Sequence, residues 1–227
     1  MSRPRLAAVV FDMDGLMLDT ERLYRSAWRR AAGDFGLEID DGLYHRLIGR
    51  STRDAASLLA GVLGPDLPLP AFHARWLECW REEAARVGIT PKPGLERVLA
   101  TVERLGLRKA VATSTERKDA LFSLRRAAIA GRFDAIVTGD DVERGKPAPE
   151  IFLAAARALG TVPPACLALE DSDAGIGAAA AAGMLAVMVP DMKPPSPAAR
   201  AAAFRVLDSL EQVPGLLRDL GLETTGR

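Results

Sequence analysis

A short apolar run, Leu6 to Phe11, gives way within three residues to Asp12, Asp14 and Gly15. No other stretch constrains the chain as much. An apolar segment bounded this sharply reads as a buried strand. Side chains two apart in an extended chain point to the same side. Asp12 and Asp14 can therefore address one place just past the strand's carboxyl end, and Gly15 lets the chain turn sharply there. Open α/β sheets bind their ligands at that end of their strands. Two close carboxylates repel each other and call for a cation or a shared proton. An all-oxygen ligand set suits a hard cation such as Mg²⁺.

From Thr20 the pattern turns helical. Leu23, Ala27, Trp28 and Ala31 recur at helical spacing after a plausible start at Thr20-Glu21. Helical stretches follow over Asp41–Leu47, from a cap at Ser51 or Thr52 through Leu63, and over Ala71–Arg86. No strand pattern lies between Leu18 and Gly88, so residues 18–89 read as a small all-α insertion closing over the site made by the first strand. Beyond Pro91, strands alternate with helices. Strands are expected at Lys109–Thr113, Phe133–Thr138, Ala165–Leu169, Leu185–Val189 and Phe204–Leu207. Helices are expected at Leu95–Leu105, Ser114–Ala128, Pro149–Leu159, Ala174–Ala182 and Leu210–Leu220, with a Pro-rich loop over Asp191–Pro197. Such alternation predicts a parallel sheet covered on both faces. The expected fold is α/β: a core from residues 1–17 and 90–227, with the helical segment inserted after the first strand.

Each expected strand end carries polar residues that could serve one site: Asp12 and Asp14, Thr113 and Ser114, then Glu170 and Asp171. A loop between them supplies Lys146 in Gly145-Lys146-Pro147. Each has an ordinary reading as well. Thr113 could cap a helix, Lys146 could be a solvated side chain, and Glu170-Asp171 could cap the helix that follows. Those readings leave unexplained why all these groups fall at the carboxyl ends of strands.

Composition narrows the function classes. Lys plus Arg equals Asp plus Glu at 30 each, which argues against a nucleic-acid binder. No apolar stretch approaches a membrane span, and the basic amino terminus lacks the long apolar core of a signal peptide. Two cysteines, Cys79 and Cys166, fit a reduced cytoplasmic protein, here expected to be a monomer. His45 and His73 lack zinc-ligand spacing. Gly175-x-Gly177-x-x-Ala180 looks like a dinucleotide fingerprint, but Glu170, Asp171 and Asp173 precede it and would repel a pyrophosphate. A phospho-receiver module also uses an acidic pocket with a Thr and a Lys, but its acceptor would not sit on the first strand.

In order, Asp12-x-Asp14-Gly15 with Asp19-Thr20, Thr113-Ser114, Lys146 and Glu170-Asp171 resemble the four motifs of the haloacid dehalogenase superfamily of phosphohydrolases. The resemblance is nearest to its β-phosphoglucomutase-like and sugar-phosphate phosphatase branch. It implies a Rossmann-like core with a helical cap, acting on a small phosphorylated metabolite with Mg²⁺. It implies Asp12 as nucleophile, Asp14 as general acid and base, and Thr113, Ser114 and Lys146 around the phosphoryl group. Asp12, the backbone carbonyl of Asp14, Asp171 and Glu170 are the implied metal ligands. Arg50 and Arg53 match the position of the family's substrate-specificity loop. Mutases of this branch carry a His five residues after the Asp-Thr aspartate. Here that residue is Tyr24, and a phenol with a pKa of ~10 cannot exchange protons near neutrality as an imidazole does. The expected activity is therefore hydrolysis, with a phosphomutase as the alternative.

Overall fold

A computed structural model describes residues 4–47, 58–62, 64 and 68–222. Arg50, Arg53 and the expected cap at Ser51 or Thr52 lie outside the described residues. The chain divides into two compact units. One comprises residues 1–18 and 90–227, the other residues 19–89.

The first unit is built on a six-stranded sheet. Its strands are β1 (Ala8–Phe11), β2 (Arg108–Ala112), β3 (Ala135–Val137), β4 (Cys166–Glu170), β5 (Leu185–Met188) and β6 (Arg205–Val206), in the order β3-β2-β1-β4-β5-β6. Every pairing is parallel, with Val10 opposite Ala110 on one side and Ala168 on the other. Helices α4 (Leu95–Arg104), α5 (Arg117–Arg126), α6 (Glu150–Ala158), α7 (Asp173–Ala181), α8 (Pro197–Ala202) and α9 (Val213–Asp219) connect and flank the strands. Strands covered on both faces should be apolar throughout, and every residue of β1 and β5 is buried. Small residues let the layers approach. Ala8, Ala110, Ala112 and Ala168 pack with Ile151, Phe152, Leu159 and Ile176 in one core. Strand order reverses at β1, between β2 and β4. Such a reversal opens a crevice beyond the strand ends, and ligands of doubly wound sheets bind there.

The Rossmann-like α/β class agrees with the sequence reading, and most strand limits shift by one or two residues. Three larger differences have local causes. The helix expected from Ser114 starts at Arg117, because Thr113 Oγ1 accepts the Thr115 N–H at 3.1 Å and holds a loop there. The expected terminal helix from Leu210 is a short 3₁₀ turn over Leu210–Gln212, and α9 begins only at Val213 with Pro214 in its first turn. Helix α8 starts at Pro197, where the expected Pro-rich loop ends and the sequence reading places no element before Phe204. Ser196 Oγ accepts the Ala199 N–H at 3.1 Å as its cap.

The second unit is helical in every described element: α1 (Glu21–Asp34), α2 (Asp41–Leu47) and α3 (Leu69–Val87), with residues 58–62 also helical. Helix α3 begins two residues earlier than expected, because Pro70 is tolerated in a first turn. Aromatic residues four apart on α1 and α3 form a stack. Trp28 lies 5.5 Å from Phe72 and 5.0 Å from Trp76, and Tyr24 lies 5.7 Å from Trp80. The Tyr44 hydroxyl donates to the Glu21 carbonyl at 2.8 Å, tying α2 to α1. No described helix is long and apolar enough to cross a membrane.

Candidate active site

Asp12 follows the last residue of β1, and its N–H donates to the Leu169 carbonyl of β4 at 3.0 Å. The sheet ladder thus holds its backbone at the point where strand order reverses. Lys146 reaches the same place from the loop before α6. Its Nζ donates to Asp12 Oδ1 at 2.5 Å, to Glu170 Oε1 at 2.7 Å and to the Ala112 carbonyl at 3.0 Å. An ammonium has three donors, and all three are used. The Phe152 ring lies 5.1 Å from the same nitrogen, a cation–π contact. The Lys146, Asp12 and Glu170 side chains are only 6%, 9% and 0% exposed.

Burial opposes the charge on Lys146, but the Asp12 and Glu170 carboxylates outweigh it and hold the ammonium well above the usual lysine range. Asp12 is lifted above the usual carboxylate range. Burial is the main cause, Glu170 and Asp14 add to it, and Lys146 offsets it only in part. One buried cation therefore faces more negative charge than it can balance. A second cation at this place would relieve the excess.

Glu170 is positioned from its other oxygen, Oε2, which accepts the Ser172 N–H at 2.8 Å and the Ser172 hydroxyl at 2.9 Å. Gly175 leaves room for it, since a Cβ there would stand 1.7 Å from Glu170 Oε1. The glycine of the dinucleotide-like pattern thus admits a carboxylate. Asp14 Oδ2 accepts from the Thr115 hydroxyl at 2.7 Å and from Thr113 Oγ1 at 3.4 Å. Thr113 is buried and caps no helix, as the N-cap of α5 is Glu116. Ser114 is exposed. Its backbone is closely approached by Gly139, where a Cβ would meet the Ser114 carbonyl at 2.3 Å.

Asp12, Glu170 and Asp171 offer carboxylate oxygens that all lie within 4.8 Å of one another. Gly15 makes room for the third. It has φ +83°, and a Cβ there would come 2.4 Å from Asp171 Oδ2. Hard oxygen donors with excess negative charge fit a divalent cation such as Mg²⁺. Both Glu170 oxygens already accept hydrogen bonds, from Lys146 and from Ser172.

The structure thus brings Asp12, Asp14, Thr113, Lys146, Glu170 and Asp171 to one end of the sheet. Sequence reasoning missed Thr115, Ser172, and an ion pair between Lys92 and Asp191 at 2.5 Å. Thr115 was hidden because a helix was expected from Ser114, and the Thr-Ser-Thr run was the available signal. Ser172 directly follows Glu170-Asp171, where a short polar side chain starts a helix. Lys92 and Asp191 are 99 residues apart, and no local pattern joins them.

A family model described as haloacid dehalogenase-like hydrolase matches residues 6–183. The chain belongs to this family. Among this family's curated members, it is 37% identical over 182 residues to the phosphorylated carbohydrates phosphatase of Thermotoga maritima, covering 79% of this chain and 82% of that one. It is also 37% identical over 185 residues to the fructose-1-phosphate phosphatase YqaB of Escherichia coli, covering 82% and 97%. The solved structure of CbbY from Rhodobacter sphaeroides in complex with phosphate superposes with a TM-score of 0.80 at 28% identity, covering 92% of this chain and 96% of that chain. This dehalogenase-like hydrolase is an enzyme with the parallel α/β core of its relatives.

Proposed function

We propose that this chain is a Mg²⁺-dependent phosphatase that hydrolyses a small phosphorylated sugar through an aspartyl-phosphate on Asp12. The observation that carries this reading is Lys146, bonded at once to Asp12 and Glu170 beside an Asp14 held by Thr115. In the first step an Asp12 oxygen forms a bond to phosphorus as the ester P–O bond breaks, and Asp14 gives its proton to the leaving alkoxide. In the second, Asp14 takes a proton from water, which attacks phosphorus and frees Asp12 as a carboxylate. Thr113 and backbone N–H groups near Ser114 would bind the phosphoryl oxygens, and Lys146 would place its positive charge between Asp12 and the phosphate, whose spreading charge is what catalysis must stabilise. Asp12, Asp171, the Asp14 carbonyl and Glu170, directly or through water, would hold Mg²⁺, which supplies the remaining neutralisation of that charge.

Residues 18–89 would form the cap, with Arg50 or Arg53 selecting the substrate. The sugar-phosphate class is supported by the names of the two phosphatases above. Hydrolysis rather than phosphomutation is supported by Tyr24, a phenol where mutases of this branch carry an imidazole, whose ring stacks on Trp80.

The first test is phosphate release from an aryl phosphate and a panel of sugar phosphates, before and after EDTA treatment. Metal-dependent release is expected, and activity indifferent to thorough metal removal would overturn the metal role. Exchange of residues 49–53 should change which ester is preferred. The mutase alternative is checked with β-glucose 1-phosphate and a catalytic amount of the 1,6-bisphosphate. Efficient formation of glucose 6-phosphate with little free phosphate would overturn the phosphatase reading.

A further inference from the structure

Asp191 follows β5, beyond Met188, where the sheet ends. Its Oδ1 accepts from Lys92 Nζ at 2.5 Å. Its Oδ2 is buried and has no hydrogen-bond partner among the described residues. Buried polar atoms are nearly always paired, so an orphaned carboxylate oxygen needs an explanation. Bulk water does not reach it, and Lys92 is committed to the other oxygen.

The position of Oδ2 is informative. A Cβ on Gly15 would stand 3.5 Å from Asp191 Oδ2 and 2.4 Å from Asp171 Oδ2. Both oxygens thus flank one point beside the loop that follows Asp14. Lys92 is fixed in turn, because its N–H donates to the Met17 carbonyl at 2.8 Å, and Leu18 bridges to Pro91. The segment entering at residue 90 is therefore sewn to the β1 loop, and it carries the lysine that orients Asp191. A purely structural ion pair accounts for Oδ1. It does not account for a second oxygen left bare beside a candidate metal ligand.

We propose that Asp191 is a positioning residue for the metal site, its Oδ2 accepting a hydrogen bond from a water in the shell of the Mg²⁺ held by Asp12 and Asp171. This rests on the metal role in the function proposed above. Mg²⁺ gives up its waters reluctantly and keeps several when protein-bound. Water on a cation is a strong donor, and outer carboxylates that accept from a metal's ligands tune its affinity. Lys92 neutralises Asp191, so the carboxylate orients that water without adding net charge to a pocket already rich in it.

The test uses the full-length protein stripped with EDTA and titrated with Mn²⁺, the free ion being counted by electron paramagnetic resonance. Asp191→Asn should weaken Mn²⁺ binding by about 10-fold or more. It should also shrink the rise in Tm that the metal produces, whereas loss of a structural ion pair would lower Tm equally with and without metal. Asp191→Asn binding Mn²⁺ as tightly as wild type overturns the inference. If that variant does not fold, Asp191→Glu keeps the charge beside Lys92 and moves the acceptor by one methylene. Weaker Mn²⁺ binding supports the inference and unchanged binding overturns it. The two readings fail separately. A wild-type protein that hydrolyses with Mg²⁺ while both variants bind Mn²⁺ normally overturns the role of Asp191 alone. Asp191-dependent Mn²⁺ binding in a protein that releases no phosphate from any ester supports this inference and overturns the phosphatase.

Discussion

The two compact units treat charge in opposite ways. In the sheet unit, Lys146, Asp12 and Glu170 are withdrawn from water and bonded into one group. In the helical unit, the pairs Arg75–Asp34 and Arg30–Glu82 stay at the surface, and the side chains that pack inward are apolar, the aromatic Phe72 and Trp80 among them. Burying charge costs more than its mutual attraction reliably returns, so a buried, perturbed cluster in a crevice marks a place where charge serves chemistry. Surface pairs contribute little and can drift without consequence. The lesson is a division of labour: the sheet unit carries strained electrostatics and little freedom to vary, and the helical unit carries packing that tolerates a changing surface.

Five substitutions test that contrast. Asp12→Asn should have the greatest effect, lowering phosphate release by ~10³-fold or more, as loss of a nucleophile does elsewhere. An amide is both a poor nucleophile and a poor Mg²⁺ ligand. Asp14→Asn, a loss of acid–base function, should cost ~10²–10⁴-fold. A near wild-type rate for Asp12→Asn would falsify the covalent route.

Lys146→Met comes next, because it leaves Asp12 and Glu170 buried without their cation. Breaking a buried pair from one side typically costs ~3–5 kcal/mol, to be read from urea unfolding in EDTA, with activity lost as well. Added Mg²⁺ should recover part of the stability. A variant as stable as wild type would remove the contrast between the units.

Phe72→Ala addresses the aromatic side. Phe72 is 1% exposed and packs on Trp28 and Phe35. Truncation should cost ~3 kcal/mol by the cavity it leaves. Hydrolysis of a small aryl phosphate should fall far less than with Lys146→Met, and equal losses would blur the division of labour.

The smallest effect is expected from Glu83→Gln. Hydrogen bonds from Arg86 hold Glu83 below its ordinary value of 4.5. A carboxylate whose folded pKa is lowered contributes stability above its unfolded value and loses it as pH falls through the folded one. The variant should lower Tm at pH 7 by less than ~3 °C, and the difference should narrow as pH falls towards 3. A difference that grows in acid would contradict that sign.

Much of the site was legible because its chemistry is local. Asp12 and Asp14 announce themselves by sitting two apart at the end of an apolar run, and Glu170-Asp171 repeats that position on a second strand. Trp28, Phe72, Trp76 and Trp80 are legible as apolar periodicity, and Tyr24 lies one helical turn before Trp28. That they stack as one aromatic column depends on how α1 and α3 pack, which periodicity leaves open. Thr115 escaped because its bond to Asp14 spans 101 residues, and a helix-like run concealed the loop that makes it.

The sequence by itself determined the alternation of strands and helices, the helical insertion and the roster of acidic and basic residues at strand ends, because these follow from periodicity and short-range turn chemistry. Only the tertiary structure decided which of those residues meet. Strand order put Asp12 at the reversal between β2 and β4, so that the Ala112 carbonyl and Glu170, from the strands on either side, both reach Lys146. It also decided which oxygens are already satisfied among the described residues, both of Glu170 but one of Asp191. Hydrogen bonds and desolvation depend on distances across the fold, and spacing along the chain does not contain them.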